Sequence, residues 1–411
     1  MLEGEELRFN LLHLHLFIAR WPQQHLILPR NLEEQASATE LCRHRSARAV
    51  AIGLRPSGFT GVGVGAGLGG PSNAHVSLAI FRVAGSGDRQ IVRLDYTRQI
   101  LIGCRSGGRT MNEVEKLAVE VVATGLGWPE GPTVLPGGRI VIVESYRSQL
   151  TAIDRDGSAR QFAYVAGAPN ACVLGSDDLL YVCQNGGTTG PWRAAEMTTP
   201  SIQRVAEGGK PEILLTEVAG IRLNGPNDLV FAADGRLIFS DPGTYNPGNP
   251  DPSYIFAVNP DGSAYLALGF DEPTFPNGVA IEADGSVIWG ESYTGRVKRQ
   301  RPDGCVEDLG RLPGVNPIPD GLKVGADGRL YVTDIAANGI HVLRPDGTAE
   351  GFFVCGKATT NCVFLGETLW VTNAGVLATG SDPSFEGTVS RVRVPGGGGP
   401  THHGRIGGKQ P

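Results

Sequence analysis

Phe275-Pro276-Asn277-Gly278-Val279-Ala280, followed by Ala283-Asp284-Gly285 and Val287-Ile288-Trp289-Gly290-Glu291, reads as a strand, a tight turn and a second strand. The phrase recurs as Gly225-Pro226-Asn227-Asp228-Leu229-Val230, with Asp234-Gly235 and Leu237 to Asp241 behind it. It recurs again as Ile318-Pro319-Asp320-Gly321-Leu322, with Asp327-Gly328 and Tyr331 to Asp334. Looser copies begin at Pro129-Glu130-Gly131, Pro169-Asn170-Ala171 and Thr360-Asn361-Cys362. The marker residues are therefore Glu130, Asn170, Asn227, Asn277, Asp320 and Asn361, spaced by roughly 40 to 57 residues. That is the period of four-stranded propeller blades.

The repeat explains the rest of the pattern. Asp-Gly at Asp234, Asp284 and Asp327 suits a two-residue hairpin, because both central positions tolerate positive φ. A further hairpin follows in several copies, around Asp156-Gly157, Asp261-Gly262, Asp303-Gly304 and Asp346-Gly347. Two hairpins per repeat give a four-stranded antiparallel blade. The expected fold is all-β, a six-bladed β-propeller over residues 111–395. Gly387 to Val394 reads as the last strand, placed to pair with Leu117 to Thr124 and close the ring. Residues 396–411 are Gly-rich and read as a disordered tail. Asn185 to Lys210 reads as a surface loop over the channel mouth.

Residues 1–110 lack the repeat phrase, contain no Lys and hold five of the eight histidines. They read as a poorly ordered extension, and Met111 reads as the native start. Gly61-Val62-Gly63-Val64-Gly65 is a weak nucleotide-site candidate.

A net charge of −6 argues against a nucleic-acid partner. No apolar run approaches the length of a membrane-spanning helix, so no membrane partner is expected. Seven cysteines without a CxxC spacing fit reduced thiols and a cytoplasmic location, although Cys172 and Cys183 stand where one hairpin could make them neighbours. Oligomeric state is not legible.

Equivalent positions of the innermost strands converge on the propeller axis. Six oxygen-bearing markers, two of them carboxylates, suit a hard divalent cation there. The competing reading is that Asn-Gly and Asp-Gly are merely turn dipeptides. The chain supplies its own control. Pro-Asp-Gly occurs at Asp261, Asp303, Asp320 and Asp346, and only Asp320 opens the inner-strand phrase. Asn170 and Asn361 read as structural, and Glu144, Asp241, Glu291 and Asp334 as acceptors for turn backbone. His341 reads as a surface strand residue, which leaves a Ser-His-Asp arrangement little to work with.

Trp128-Pro129-Glu130-Gly131-Pro132, Arg222-Leu223-Asn224-Gly225-Pro226-Asn227-Asp228, Phe275-Pro276-Asn277-Gly278 and Pro319-Asp320-Gly321 resemble the motifs of the SMP-30/gluconolactonase family. The resemblance spans about residues 115 to 394. It implies a six-bladed propeller with one catalytic divalent cation, often Ca2+, with Zn2+, Mn2+ or Mg2+ as alternatives. It places the metal ligands on Glu130, Asn227, Asn277 and Asp320, and substrate contacts on Arg222 and Asn224. The loop Pro242-Gly243-Thr244-Tyr245 matches the family's active-site rim. The implied activity is opening of a lactone, such as a sugar-acid lactone, or of a related ester. Asp320 would serve as general base or nucleophile. Phosphotriester hydrolysis on the same site, as in diisopropylfluorophosphatase-type enzymes, and a non-enzymatic ligand-binding propeller are the alternatives.

Overall fold

The computed structural model describes residues 117–380 and 382–407, together with the backbone of two short paired strands, Phe59–Gly63 and Ala79–Val83. The chain divides into two compact units, Met1–Met111 and Asn112–Pro411. Gly61 to Gly63 lie inside the first short strand. The other expectations for residues 1–110, and that of a native start at Met111, fall outside the described residues.

Among the described residues the second unit contains four separate four-stranded antiparallel sheets and one eight-stranded sheet, in which a single parallel bridge from Gly131 to Ala171 joins two more four-stranded antiparallel units, so that six blades result. Their inner strands are Pro129–Val134, Pro169–Leu174, Leu229–Phe231, Pro276–Ile281, Pro319–Val324 and Thr359–Leu365, which define blades 1 to 6. Each inner strand touches the next, and the sixth touches the first, so the strands form a closed ring. Blade 6 takes its third strand from Gly387–Arg393 and its outermost from Glu120–Leu126. The expected closure between the two ends of the repeat is thus present, and it removes an open edge.

The apolar core lies between the blades. Separate layers of buried side chains fill the spaces between blades 1 and 2, 2 and 3, 3 and 4, 4 and 5, 5 and 6, and 6 and 1. The layer between blades 2 and 3 is the most aromatic, with Tyr181, Phe231, Phe239 and Phe256 all fully buried. Near the axis, hydroxyls hook one blade to the next one's backbone at five of the six junctions. Ser145 Oγ donates to Pro169 O at 2.8 Å, Ser240 Oγ to Asn277 O at 2.7 Å and Ser292 Oγ to Pro319 O at 2.7 Å. Thr333 Oγ1 donates to Thr360 O at 2.7 Å, and Thr360 Oγ1 to Pro129 O at 2.9 Å. Each such buried bond contributes about 1 kcal/mol.

Four sequence expectations need correction. Residues 396–407 are not a disordered tail. Ala326 N donates to Gly397 O and Gly399 N to Val324 O, both on blade 5. Five residues on, Ser176 N donates to Gly404 O at 2.8 Å, and His403 Nδ1 lies 3.0 Å from Leu174 O, both on blade 2. Ile406 is buried beside Tyr181 and Phe231. Blades 5 and 2 are opposite each other in a ring of six. Five residues reach at most about 17 Å, so the segment runs as a chord over the end of the channel away from the markers. No periodic apolar pattern announces it; backbone hydrogen bonds, the side chains of His403, Tyr181 and Arg204, and the buried Ile406 hold it.

Asn185 to Lys210 is not all loop, because Ser201–Val205 is the third strand of blade 2. Only residues 185–200 form an insertion, and Trp192 anchors it by burial against Tyr146. His341 is buried rather than on the surface, with Nε2 3.1 Å from Asp334 Oδ2. Cys172 pairs in register with Val182, and Cys183 with Ala171, so the two thiols face different inter-blade layers. The cysteines among the described residues are free. Among those residues no helix is long and apolar enough to cross a membrane.

Candidate active site

The markers owe their orientation to a local irregularity. Register shifts interrupt the inner-strand pairing between Glu130 and Thr133, Pro276 and Val279, and Pro319 and Leu322. A bulge leaves residues unpaired and re-aims their side chains. The glycine after the marker serves close approach, not a turn. A Cβ on Gly131 would sit 2.2 Å from Ala171 Cα, one on Gly278 2.4 Å from Asp320 O, and one on Gly321 2.2 Å from Asn361 Cγ. By contrast, Gly262, Gly304 and Gly347 of the other Pro-Asp-Gly tripeptides adopt φ of 89°, 88° and 85°, as hairpin turns require. Register rather than tripeptide identity separates Asp320 from its look-alikes.

Glu130, Asn277 and Asp320 are all buried, while Asn227 is half-buried. Burial pushes the Glu130 carboxyl well above the usual range, and the charges of Asp320 and Asp228 push it further. Burial and then Asp228 push Asp320 the same way, opposed by the Asn277 amide beside it. These acids therefore share one poorly solvated space. Glu130 Oε2 and Asn277 Oδ1 are buried with no hydrogen-bond partner. An unpaired buried oxygen costs about 1–3 kcal/mol, so both oxygens are open to a further partner.

The remaining markers are engaged with protein. Asn170 Nδ2 donates to Asn227 Oδ1 at 2.9 Å. Asn361 Nδ2 donates to Asp228 Oδ2 at 3.4 Å, and Lys323 Nζ lies 3.9 Å from the same oxygen. Asp228 and Lys323 are missing from the sequence-based set. A signal for Asp228 existed: it follows the marker where the copies at Glu130, Asn277 and Asp320 carry Gly.

Glu130, Asp228 and Asp320, when ionised, carry three negative charges against the one positive charge of Lys323. The balance of −2 matches one divalent cation, and the donors are all hard oxygens. Among the described residues no group of three or more His, Cys, Asp or Glu is placed to hold a metal ion. A cation here would rest on two carboxylates and on neutral amide oxygens.

Arg222 and Asn224 are exposed. Asp241 holds the Asn224 turn, accepting from Asn224 N at 3.0 Å and Gly225 N at 2.6 Å. Burial raises the Asp241 carboxyl to about 6 although these amides oppose it. Asn224 abuts Gly243 of the rim loop. No hydrogen bond or ion pair ties Arg222 to Glu130 or Asp320 among the described residues. Glu144 and Asp334 accept from turn backbone as expected, through Gly127 N and Ile318 N. Glu291 does not: its partners are Trp289 Nε1 and Thr294 Oγ1.

Two aromatic groups stand beside the markers. Trp128, Tyr146 and Trp192 are stepped 5.5 and 5.1 Å apart, and the Trp128 indole leans on Glu130. Tyr245, Phe275 and Tyr293 form a triangle with centroids 5.1–5.2 Å apart. Burial raises the Tyr245 hydroxyl, and the charges of Tyr293 and Asp320 raise it further.

A profile described as SMP-30/Gluconolactonase/LRE-like region matches residues 128–375. The gluconolactonase of Zymomonas mobilis is 26% identical over 290 residues, covering 62% of this chain and 78% of its own. The solved Xanthomonas campestris gluconolactonase superposes with a TM-score of 0.56 at 20% identity, over 69% of this chain and 91% of its own. A calcium-binding protein, regucalcin, from Agrobacterium tumefaciens superposes with a TM-score of 0.57 at 18% identity, over 70% and 97%. At those identities the two structures speak for the fold.

Proposed function

The chain belongs to the SMP-30/gluconolactonase/LRE-like family, and from that premise we propose that it is a metal-dependent hydrolase that opens a lactone, such as a sugar-acid lactone. The observation that carries the reading is the pair of buried oxygens without partners, Glu130 Oε2 and Asn277 Oδ1, beside Asp320. Glu130, Asn227, Asn277 and Asp320 are the residues that would hold the cation. The relatives with a named activity include gluconolactonases, and one structural neighbour is a calcium-binding protein. These lend support to the substrate class and to Ca2+.

When bound, a divalent cation supplies polarisation of a carbonyl and stabilisation of the oxyanion that forms. The protein's own share follows from its residues. Glu130 balances charge from within the inner ring. Asp320 takes a proton from the attacking water, or attacks the carbonyl itself; both roles need a carboxylate at the mouth of a dry site. Asn224, fixed by Asp241, offers an amide to a substrate oxygen, and Arg222 offers a guanidinium.

The test is turnover of sugar and aliphatic lactones, with a phosphotriester alongside, after chelation and add-back of Ca2+, Mg2+, Mn2+ and Zn2+. Ion-dependent lactone opening supports the proposal. Turnover of the phosphotriester alone moves the chemistry to phosphorus, and bound ligand without turnover makes the propeller a binding module.

A further inference from the structure

Tyr245 is built into the site in a way that the lactone reading does not by itself require. It is 43% exposed. Its ring stands edge-on to Phe275 at 5.1 Å and tilted against Tyr293 at 5.2 Å. Its hydroxyl has no hydrogen-bond partner among the described residues, whereas the neighbouring Tyr293 hydroxyl accepts from Asn246 N at 2.9 Å. The loop that carries it is pinned on both sides. Before it, Thr244 N donates to Asp251 Oδ2 at 3.0 Å and Gly243 lies against Asn224; after it, Asn246 N is held by the Tyr293 hydroxyl. Phe275, the support beneath the ring, is held at φ +54°, an outlier for a bulky residue that its surroundings must enforce. Asn277, with its unpaired oxygen, is two residues further on. The same positive φ recurs before other inner strands, at Trp128 and Ala358, and here it sets Phe275 under the Tyr245 ring.

We propose that Tyr245 is a substrate-positioning residue that selects polyhydroxylated lactones, the ring giving an apolar platform for the C–H face of a sugar ring and the hydroxyl a hydrogen bond to a ring substituent. This rests on the lactonase reading and narrows its substrate class. An unsubstituted aliphatic lactone has no hydroxyl to meet that handle and gains only apolar contact. The pinned loop keeps the ordering cost of the contact low. A site that hydrogen-bonds a substrate hydroxyl discriminates against the analogue without one.

The experiment compares wild type, Tyr245→Phe and Tyr245→Ala on two lactones of one ring size, a sugar-acid lactone and its unsubstituted counterpart. Tyr245→Phe is expected to raise KM for the sugar lactone about fivefold, the worth of one neutral hydrogen bond, and to leave the aliphatic lactone unchanged. Tyr245→Ala, which also removes the apolar face, is expected to raise KM for both lactones, and by several-fold more for the sugar lactone. Divalent-ion binding by both variants should match wild type, which a merely misfolded variant would not achieve. Equal losses on both lactones, or no loss on either, overturn the proposal while the lactonase reading stands. A wild-type protein that opens neither lactone overturns both, and wild-type turnover separates the two failures.

Discussion

Asn170 Nδ2 donates a hydrogen bond to Asn227 Oδ1 across 2.9 Å, joining the marker of blade 2 to the marker of blade 3. An amide oxygen has two lone pairs. Asn227 can therefore accept from Asn170 and still face a cation, but only in the orientation that Asn170 sets. Asn170→Ala is expected to weaken divalent-ion binding tenfold to a hundredfold, the usual cost of losing the residue that orients a ligand. Titration calorimetry measures it. Unchanged affinity would make Asn170 a spacer only.

The glycines after the markers should be costly to replace, and those in outer turns cheap. Gly131→Ala drives a methyl into Ala171 backbone at 2.2 Å, which cannot yield. The loss should reach about 3 kcal/mol, the upper end for overpacking. Gly262→Ala meets open space and pays only for φ +89°, about 1 kcal/mol. Urea unfolding of both variants checks the order, and a reversed order would contradict the close-approach account.

Asp334 makes stability depend on pH. Burial alone would raise its carboxyl, but His341 and the amides of Ile318 and Ala337 outweigh burial and hold it below its ordinary value. An acid lowered in the folded state binds fewer protons there than in the unfolded chain. Its stabilisation is full above the unfolded value, near 3.9, and is lost as pH falls through the folded one. Asp334→Asn should therefore be less stable at pH 7 and show a flatter decline below about pH 4. Denaturant midpoints against pH for both proteins test this; parallel curves would remove Asp334 from the account.

The terminal chord should matter for stability. Ile406 is 4% exposed within the layer of Tyr181 and Phe231. Removing residues 396–411 uncovers those rings and frees the backbone groups of Val324 and Ser176. A loss of about 2–4 kcal/mol is expected, comparable to truncating one buried isoleucine, and thermal melting reads it. A truncated chain that melts with the full one would mean that the chord contributes nothing.

The propeller was legible because its period, its Asp-Gly turns and its closing strand are local patterns repeated along the chain. The marker set was legible because register distinguishes Asp320 from Asp261, Asp303 and Asp346. What escaped depends on contacts distant in sequence. Asn361 reaches Asp228 across 133 positions, and Ile406 reaches Tyr181 across 225. His341 sat in a strand that looked outward, yet its register opposite Val332 turns it onto Asp334. Glu291 resembled its counterparts in sequence, but the nearby Trp289 and Thr294 take its oxygens first.

The most direct test of the central claim is ion binding itself. Metal-free protein titrated with Ca2+ should take up one ion per chain, and Glu130→Gln and Asp320→Asn should each weaken uptake by at least a hundredfold while keeping the wild-type fold by circular dichroism. Each change removes one of the two carboxylates on which the cation would rest and replaces it with a neutral side chain of nearly the same size. Folded variants that bind Ca2+ as tightly as wild type, or a wild type that binds no divalent ion at all, would contradict it.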